Sequence, residues 1–218
     1  MNAAAPRLAV VLDDVAAAAA PLVWSSALAR ALQRELQVVY VESTSVLDAA
    51  ALPIARALAH LGTGWAPYGR ADVERAYRQQ VVRLQALMQR LGLEGSLRSL
   101  QVVRGTLHGA ALDVGSESDL VLVSTAARWP AAPAGEPRCH SVQVWADDSE
   151  QGLLLLELAT RCARSLGAMP RVVRARTQVE PGEVERARAD LLVLSRAAVS
   201  ARVLAAARRP LLLVGRKD

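Results

Sequence analysis

The stretch Asp119-Leu-Val-Leu-Val-Ser124 recurs almost letter for letter as Asp190-Leu-Leu-Val-Leu-Ser195. Each is a short apolar run between an acidic and a hydroxyl residue, a pattern typical of a parallel strand buried on both faces. Upstream of these runs, Leu8-Ala-Val-Val-Leu-Asp13 has the same character as Ser141-Val-Gln-Val-Trp-Ala-Asp147. Two pairs of similar strands in the same order indicate an internal duplication.

Helical patterns separate the strands of the first copy. Trp24, Leu28 and Leu32 repeat every four residues, and a longer series of apolar residues spaced by three or four follows at 73–91. The predicted elements are strands at 7–13, 37–42, 100–104 and 119–124 and helices at 21–34, 73–91 and 106–116. This alternation predicts the α/β class with a doubly wound parallel sheet.

The second copy is shorter than the first in its middle and longer at its end. Residues 149–166 predict one helix and 169–176 one strand, so one strand-helix pair of the first copy has no counterpart. Only the second copy has a closing helix and strand, at 199–209 and 210–214. The predicted organisation is a first repeat at 1–130, a proline-rich linker at 131–140 and a shortened second repeat at 141–218.

The missing closing strand leaves the first repeat with an open sheet edge beside residues 119–124. Exposed strand edges invite pairing with other segments. We expect either the final strand, Leu211 to Val214, or a second chain to cover this edge. In the second case the chain has a protein partner or forms a homo-oligomer.

Composition and charge exclude several classes of protein. No apolar run approaches the roughly 20 residues of a bilayer-spanning helix, so we expect no membrane contact and a cytoplasmic location. The formal net charge is +5, but the basic residues are almost all arginines scattered through amphipathic helices, which predicts no nucleic-acid partner. Cys139 and Cys162 have neither the number nor the spacing of a disulfide framework or a zinc site.

The order and spacing of these segments resemble the universal stress protein (UspA-like) superfamily over nearly the whole chain, in two copies. Four features carry the resemblance: a strand ending in Asp before a long helix, a Val-Val-Arg-Gly strand end at 102–105, an Ala-Asp-Leu-Leu-Val-Leu strand at 189–194, and a final Arg-Pro-Leu-Leu-Leu-Val strand at 209–214. The resemblance implies two Rossmann-like, adenine-nucleotide-hydrolase-like repeats that pack as an internal pseudo-dimer. This chain then looks like a shortened tandem member.

The resemblance also implies where a nucleotide binds. In ATP-binding members, an Asp at the end of the first strand and a residue at the end of the second hold the adenosine part, and Asp13 and Val41 occupy these places here. Asp147 occupies the first place in the second copy. The phosphates rest on a glycine-rich loop after the fourth strand, but here that position reads Ser124-Thr-Ala-Ala-Arg-Trp-Pro and Ser195-Arg-Ala-Ala-Val-Ser.

Loss of these glycines has a physical consequence. Glycine lets backbone N–H groups approach a phosphate closely, whereas the prolines that follow in the first copy remove donors. We therefore expect no tight triphosphate binding by the family's usual route. The sequence establishes no cofactor, and the resemblance leaves AMP or ATP as the candidate ligand.

The acidic pairs at the strand ends have two interpretations. Asp13-Asp14 and Asp147-Asp148 either bind a ligand in the crevice outside the sheet or cap the helix that follows, and capping is the favoured interpretation. Gly105 with Thr106 ends a strand either as a tight turn or as a phosphate contact.

These observations leave ordered hypotheses about function. The first is a non-catalytic stress or signalling module that acts through protein contacts, and the alternative is a small-molecule binding protein for an adenine nucleotide. The crevice residues for that alternative are Asp13, Asp14, Val41, Gly105, Ser124 and Thr125. An enzyme acting on nucleotides comes third, and because the sequence offers no identifiable base or nucleophile we expect no enzymatic activity.

Overall fold

The computed structural model describes residues 6–52, 56–58, 65–67, 69–93, 97–114, 120–124, 129, 139–174 and 178–215. Its strands are β1 Arg7–Leu12, β2 Glu35–Ser43, β3 Arg56–Leu58, β4 Trp65–Pro67, β5 Leu97–Gly105, β6 Leu120–Val123, β7 Ser141–Ala146, β8 Met169–Arg174, β9 Leu191–Ser195 and β10 Leu211–Val214. Its helices are α1 Ala19–Leu32, α2 Thr44–Ala50, α3 Arg70–Arg90, α4 Leu107–Asp113, α5 Glu150–Ser165, α6 Pro181–Arg186 and α7 Ala201–Ala206.

Eight strands form one continuous sheet in the order β5-β2-β1-β6-β10-β9-β7-β8, and β3 and β4 pair separately as a small antiparallel ribbon. Every neighbouring pair in the large sheet is parallel except β6 and β10. The predicted α/β class with a largely parallel sheet is therefore confirmed. The predicted linker at 131–140 lies outside the described residues apart from Cys139 and His140, so its boundaries stay a prediction.

Each face of the sheet carries its own apolar layer, because successive side chains of a strand point to opposite faces. Leu8 and Val10 of β1 pack in one core with α1, α3 and α5. Ala9 and Val11 pack in the second core with α4, α6 and α7. The near-continuous apolar runs noted in the sequence are thus strands covered by helices on both sides.

The antiparallel pairing of β10 with β6 joins the N-terminal and C-terminal strands. Leu212 lies opposite Leu122 in this pair, and both side chains are fully buried in the same core. On its other side β10 runs parallel to β9. The final strand, one of the two expected occupants, covers the edge of β6. A second chain therefore cannot pair with β6, and that predicted route to a protein partner or homo-oligomer is wrong.

Two local expectations also change. The helix that begins at Ala19 includes Pro21 in its first turn instead of starting at it, and the helix predicted at 106–116 is α4, which ends at Asp113. The irregular residues after β2 contain α2, which begins directly after Ser43.

Among the described residues, no helix is long and apolar enough to cross a membrane.

The β6–β10 pairing predicts that the chain unfolds as one cooperative unit. Leu212→Ala removes a fully buried side chain and should lower the free energy of unfolding by about 2–5 kcal/mol. Leu153→Ala is the matched control, because Leu153 is 61% exposed and its loss should change that free energy by about 0.5 kcal/mol or less. Urea titration followed by circular dichroism measures both. Two separate transitions, or equal effects of the two variants, would contradict the role given to this pairing.

Candidate functional site

A cleft of about 400 Å³ opens at the carboxyl ends of β1 and β2. Asp13 follows β1, while Val41 and Ser43 lie near the end of β2. The start of α4 contributes Thr106 and His108 to the same cleft. Ligands of open α/β sheets bind in the crevice outside the carboxyl ends of the strands, so this is where a ligand is expected.

Asp13 has the most unusual environment of the charged groups in this cleft. Partial burial raises the pKa of its carboxyl above the ordinary value of 3.8, and the neighbouring charge of Asp14 adds to that rise. A hydrogen bond from its own backbone N–H and the proximity of His108 lower the pKa, but the effect of burial is the largest and the net shift is upward. Within the described part of the chain, no side-chain donor pairs with this carboxyl group. A carboxyl group with a raised pKa that lies in a cleft is a candidate binding residue.

Hydrogen bonds fix the strand ends that surround Asp13. The Ser43 N–H donates to the Tyr77 hydroxyl at 3.1 Å, and that hydroxyl lies 3.3 Å from the Ser43 carbonyl oxygen. Ser43 is in register with Gly105, so the ends of β2 and β5 are level. The Thr106 hydroxyl then caps α4 by accepting from the Gly109 N–H at 3.0 Å. The polar lining of the cleft is therefore built on ordered backbone.

The six predicted crevice residues do not all line this cleft. Asp13 and Val41 line it. Gly105 does not, but it directly precedes Thr106, which is part of the lining. The backbone N–H of Ser124 donates to the Val11 carbonyl at 3.1 Å, but Ser124 is buried and is not part of the lining. Thr125 lies outside the described residues.

Asp14 does not line the cleft either, and the expectation that the first acidic pair caps α1 is wrong. The carboxylate of Asp14 accepts from the Ala16 N–H at 2.8 Å, which stabilises the turn between β1 and α1. The N-cap position of α1 is Ala18, which has no side-chain cap. The physical reason is distance along the chain, since this turn separates both acidic residues from the helix start.

Asp147 occupies the corresponding position after β7, where donors of the following residues contact the carboxylate. Its carboxylate accepts from the N–H and the hydroxyl of Ser149, which lowers the pKa of Asp147 below 3.8. Ser149, and not the acidic pair, is the N-cap of α5. Gly152 is required beside it, because a Cβ at this position would lie 2.1 Å from the Asp147 carbonyl oxygen.

The crevice around Asp147 is also smaller, at about 170 Å³. Gln151 at the start of α5 donates from Nε2 to the Ser195 hydroxyl at 3.2 Å, so a side chain of the protein occupies the space above β9. The two strand ends therefore differ: the cleft beside Asp13 is the larger, and the crevice beside Asp147 is narrowed by side-chain hydrogen bonds of the protein itself.

Sequence reasoning did not identify the part of the Asp13 cleft that comes from the C-terminal region. Leu204 and Ala207, at and just after the end of α7, line it together with Arg208. Nothing near these residues in the sequence distinguishes them from other surface arginines and small apolar residues. His108 also lines the cleft, and the sequence signal for this position is its place at the start of the helix predicted at 106–116, directly after a strand end.

No protein-family model matches the sequence, and no curated protein sequence is detectably similar to it. Solved structures do share its fold. A protein provisionally assigned as a universal stress protein from Pseudomonas aeruginosa UCBPP-PA14 aligns with a TM-score of 0.54 and 11% identity, over 97% of this chain and 93% of that one. A protein of unknown function from Pseudomonas aeruginosa PAO1 aligns with a TM-score of 0.50 and 11% identity, over 97% and 92%. At this identity the likeness shows the fold.

The opposite environments of Asp13 and Asp147 predict opposite effects on stability. The pKa of Asp13 is raised, so its neutral form is favoured in the folded state and the ionised form costs stability as pH rises above about 4. Asp13→Asn should therefore raise the melting temperature near neutral pH, and the gain should vanish as pH falls below 3.8. Asp147→Asn should lower the melting temperature near neutral pH, because it weakens charge-assisted hydrogen bonds that are lost only at lower pH.

Differential scanning calorimetry of both variants between acidic and neutral pH tests this prediction. Equal shifts of the same sign would show that the two carboxylates have similar environments, which would remove the reason for preferring the Asp13 cleft.

Proposed function

We propose that this chain is a non-catalytic binding protein of the universal stress protein type, and that the Asp13 cleft holds a small ligand. The shared fold supports the family assignment. The single observation that carries the binding function is the open cleft at a strand end that contains the Asp13 carboxyl group, whose pKa is raised and which no side-chain donor of the described residues contacts.

The sheet supports the proposed tandem origin. From the β6–β10 pairing outward, the strands after β6 are β1 and β2, and the strands after β9 are β7 and β8. Strands that we matched by sequence, β1 with β7 and β6 with β9, thus occupy mirrored places. This is the arrangement expected of two repeats joined side by side, with β10 serving both.

The proposed ligand is a nucleoside or nucleoside monophosphate, such as adenosine or AMP, and not a triphosphate. A cleft of about 400 Å³ lies near the small end of the roughly 300–1,000 Å³ range of ligand pockets. The sequence after β6 lacks the glycines that hold a triphosphate in the family that this chain resembles. Asp13 suits a hydroxyl or amino donor of the nucleoside, since an ionised carboxylate is an acceptor only.

Absence of catalysis is part of the proposal. Asp13, His108, Ser43 and Ser45 line the same cleft. The two serine hydroxyls, which are the candidate nucleophiles, lie 3.1 Å apart and hydrogen-bond each other. No group of three or more His, Cys, Asp or Glu side chains in the described part of the chain is placed to hold a metal ion. A nucleophile activated by an oriented base is therefore not evident there.

A protein-contact function is the second candidate, and one observation favours it. The strand β8 is exposed on both faces of the sheet, with Met169 at 74% and Val172 at 53% exposure, and Leu153 on α5 is 61% exposed. Because β10 covers β6, this β8 edge is the surface to examine for a partner. Pro170 removes a backbone donor from β8, a feature that limits pairing by an added strand.

The proposal predicts saturable binding of adenosine and AMP that depends on Asp13. Asp13→Ala should weaken binding of both by at least about tenfold, since hydrogen bonds to a charged group contribute about 1.5–3 kcal/mol. Asp147→Ala is the matched control, the same residue type at the corresponding strand end, and should leave affinity unchanged. Isothermal titration calorimetry with adenosine, AMP, ADP and ATP measures the affinities.

Two results would contradict the proposal. Failure of the wild-type protein to bind any of the four compounds at millimolar concentration would turn attention to protein partners at the β8 edge. Steady release of phosphate from ATP, absent in Asp13→Ala, would overturn the assignment as a non-catalytic protein.

A further inference from the structure

The C-terminal region completes the cleft formed by the N-terminal strands. The helix α7 packs against α4 in the second core, with Val203 and Leu204 in the same apolar cluster as Ala110 and Ala111. The chain at the end of α7 and just after it lines the Asp13 cleft, and Arg208 belongs to this lining.

The polar residues of this cleft come from different elements. Asp13 follows β1, Arg208 follows α7, and His108 lies at the start of α4. An anionic group of a ligand is repelled by the Asp13 carboxylate and attracted by the guanidinium, so it should lie at the Arg208 side. The donor end of the ligand should face Asp13.

Arg208 is available for such a role at little cost. Its side chain is 74% exposed, and Nη2 pairs with Oε1 of Glu185 at 3.3 Å, while the Glu185 side chain is itself 54% exposed. Exposed ion pairs of this kind contribute little to stability. A ligand group with more negative charge than one carboxylate can therefore compete for the guanidinium without disturbing the fold.

We propose that Arg208 selects a phosphomonoester in the ligand of the Asp13 cleft. This inference rests on the proposed binding function and adds the residue that recognises the anionic group. A phosphomonoester carries about −1.5 to −2 charges near neutral pH and has three acceptor oxygens, so it outcompetes the Glu185 carboxylate for the planar fork of Arg208. The C-terminal half thus supplies an anion contact where the loop after β6 lacks glycines.

Adenosine and AMP form the test, because they differ only in the phosphomonoester. In isothermal titration calorimetry the wild-type protein should bind AMP about tenfold more tightly than adenosine, as expected for one charge-assisted contact. Arg208→Ala should remove this preference and leave adenosine affinity unchanged. Glu185→Gln should strengthen AMP binding several-fold without changing adenosine binding, because it removes the competing carboxylate.

Arg202→Ala is the control for net charge, since Arg202 is exposed on α7 but does not line the cleft. It should preserve the AMP preference. Retention of that preference in Arg208→Ala, with binding of both compounds still lost in Asp13→Ala, would overturn the role of Arg208 and leave the proposed binding function standing. Failure of the wild-type protein to bind either compound would overturn both.

Discussion

The antiparallel pairing of β10 with β6 is the contact on which the rest of this molecule depends. It connects strands that are about ninety positions apart in the sequence and joins two parallel sheets into one. Its side chains are buried on both faces, so it contributes to both apolar cores at once. The same pairing satisfies the backbone of an edge that would otherwise attract a second chain.

The position of the cleft wall follows from that pairing. Because β10 is held beside β6, the helix that precedes it, α7, packs against α4 of the N-terminal region. Arg208 lies in the short segment between α7 and β10, so the positions of that helix and that strand together fix its place in the Asp13 cleft. A site built this way depends on both halves of the chain, although each half supplies only some of its residues.

The two strand ends show how similar sequences reach different local structures. Asp13 is followed by a turn that Asp14 stabilises, and its own carboxyl stays without a side-chain donor in the described part of the chain. Ser149 lies two residues after Asp147, and its hydroxyl both donates to the Asp147 carboxylate and caps α5. When the helix starts closer to the strand, its N-terminal residues therefore hydrogen-bond the carboxylate. The Gln151 side chain also hydrogen-bonds Ser195 at the neighbouring strand end.

The sequence by itself determined the eight strands of the large sheet, the main helices and the α/β class, because these depend on local hydrophobic periodicity. The places of Asp13 and Val41 at one sheet edge were what the family resemblance implied. Only the tertiary structure decided which segment covers β6, which acidic residue is open to a ligand and that Arg208 reaches the cleft. The sequence of an apolar strand such as Leu211–Val214 does not specify which strand it pairs with or in which direction, because its side chains can be buried against any apolar neighbour.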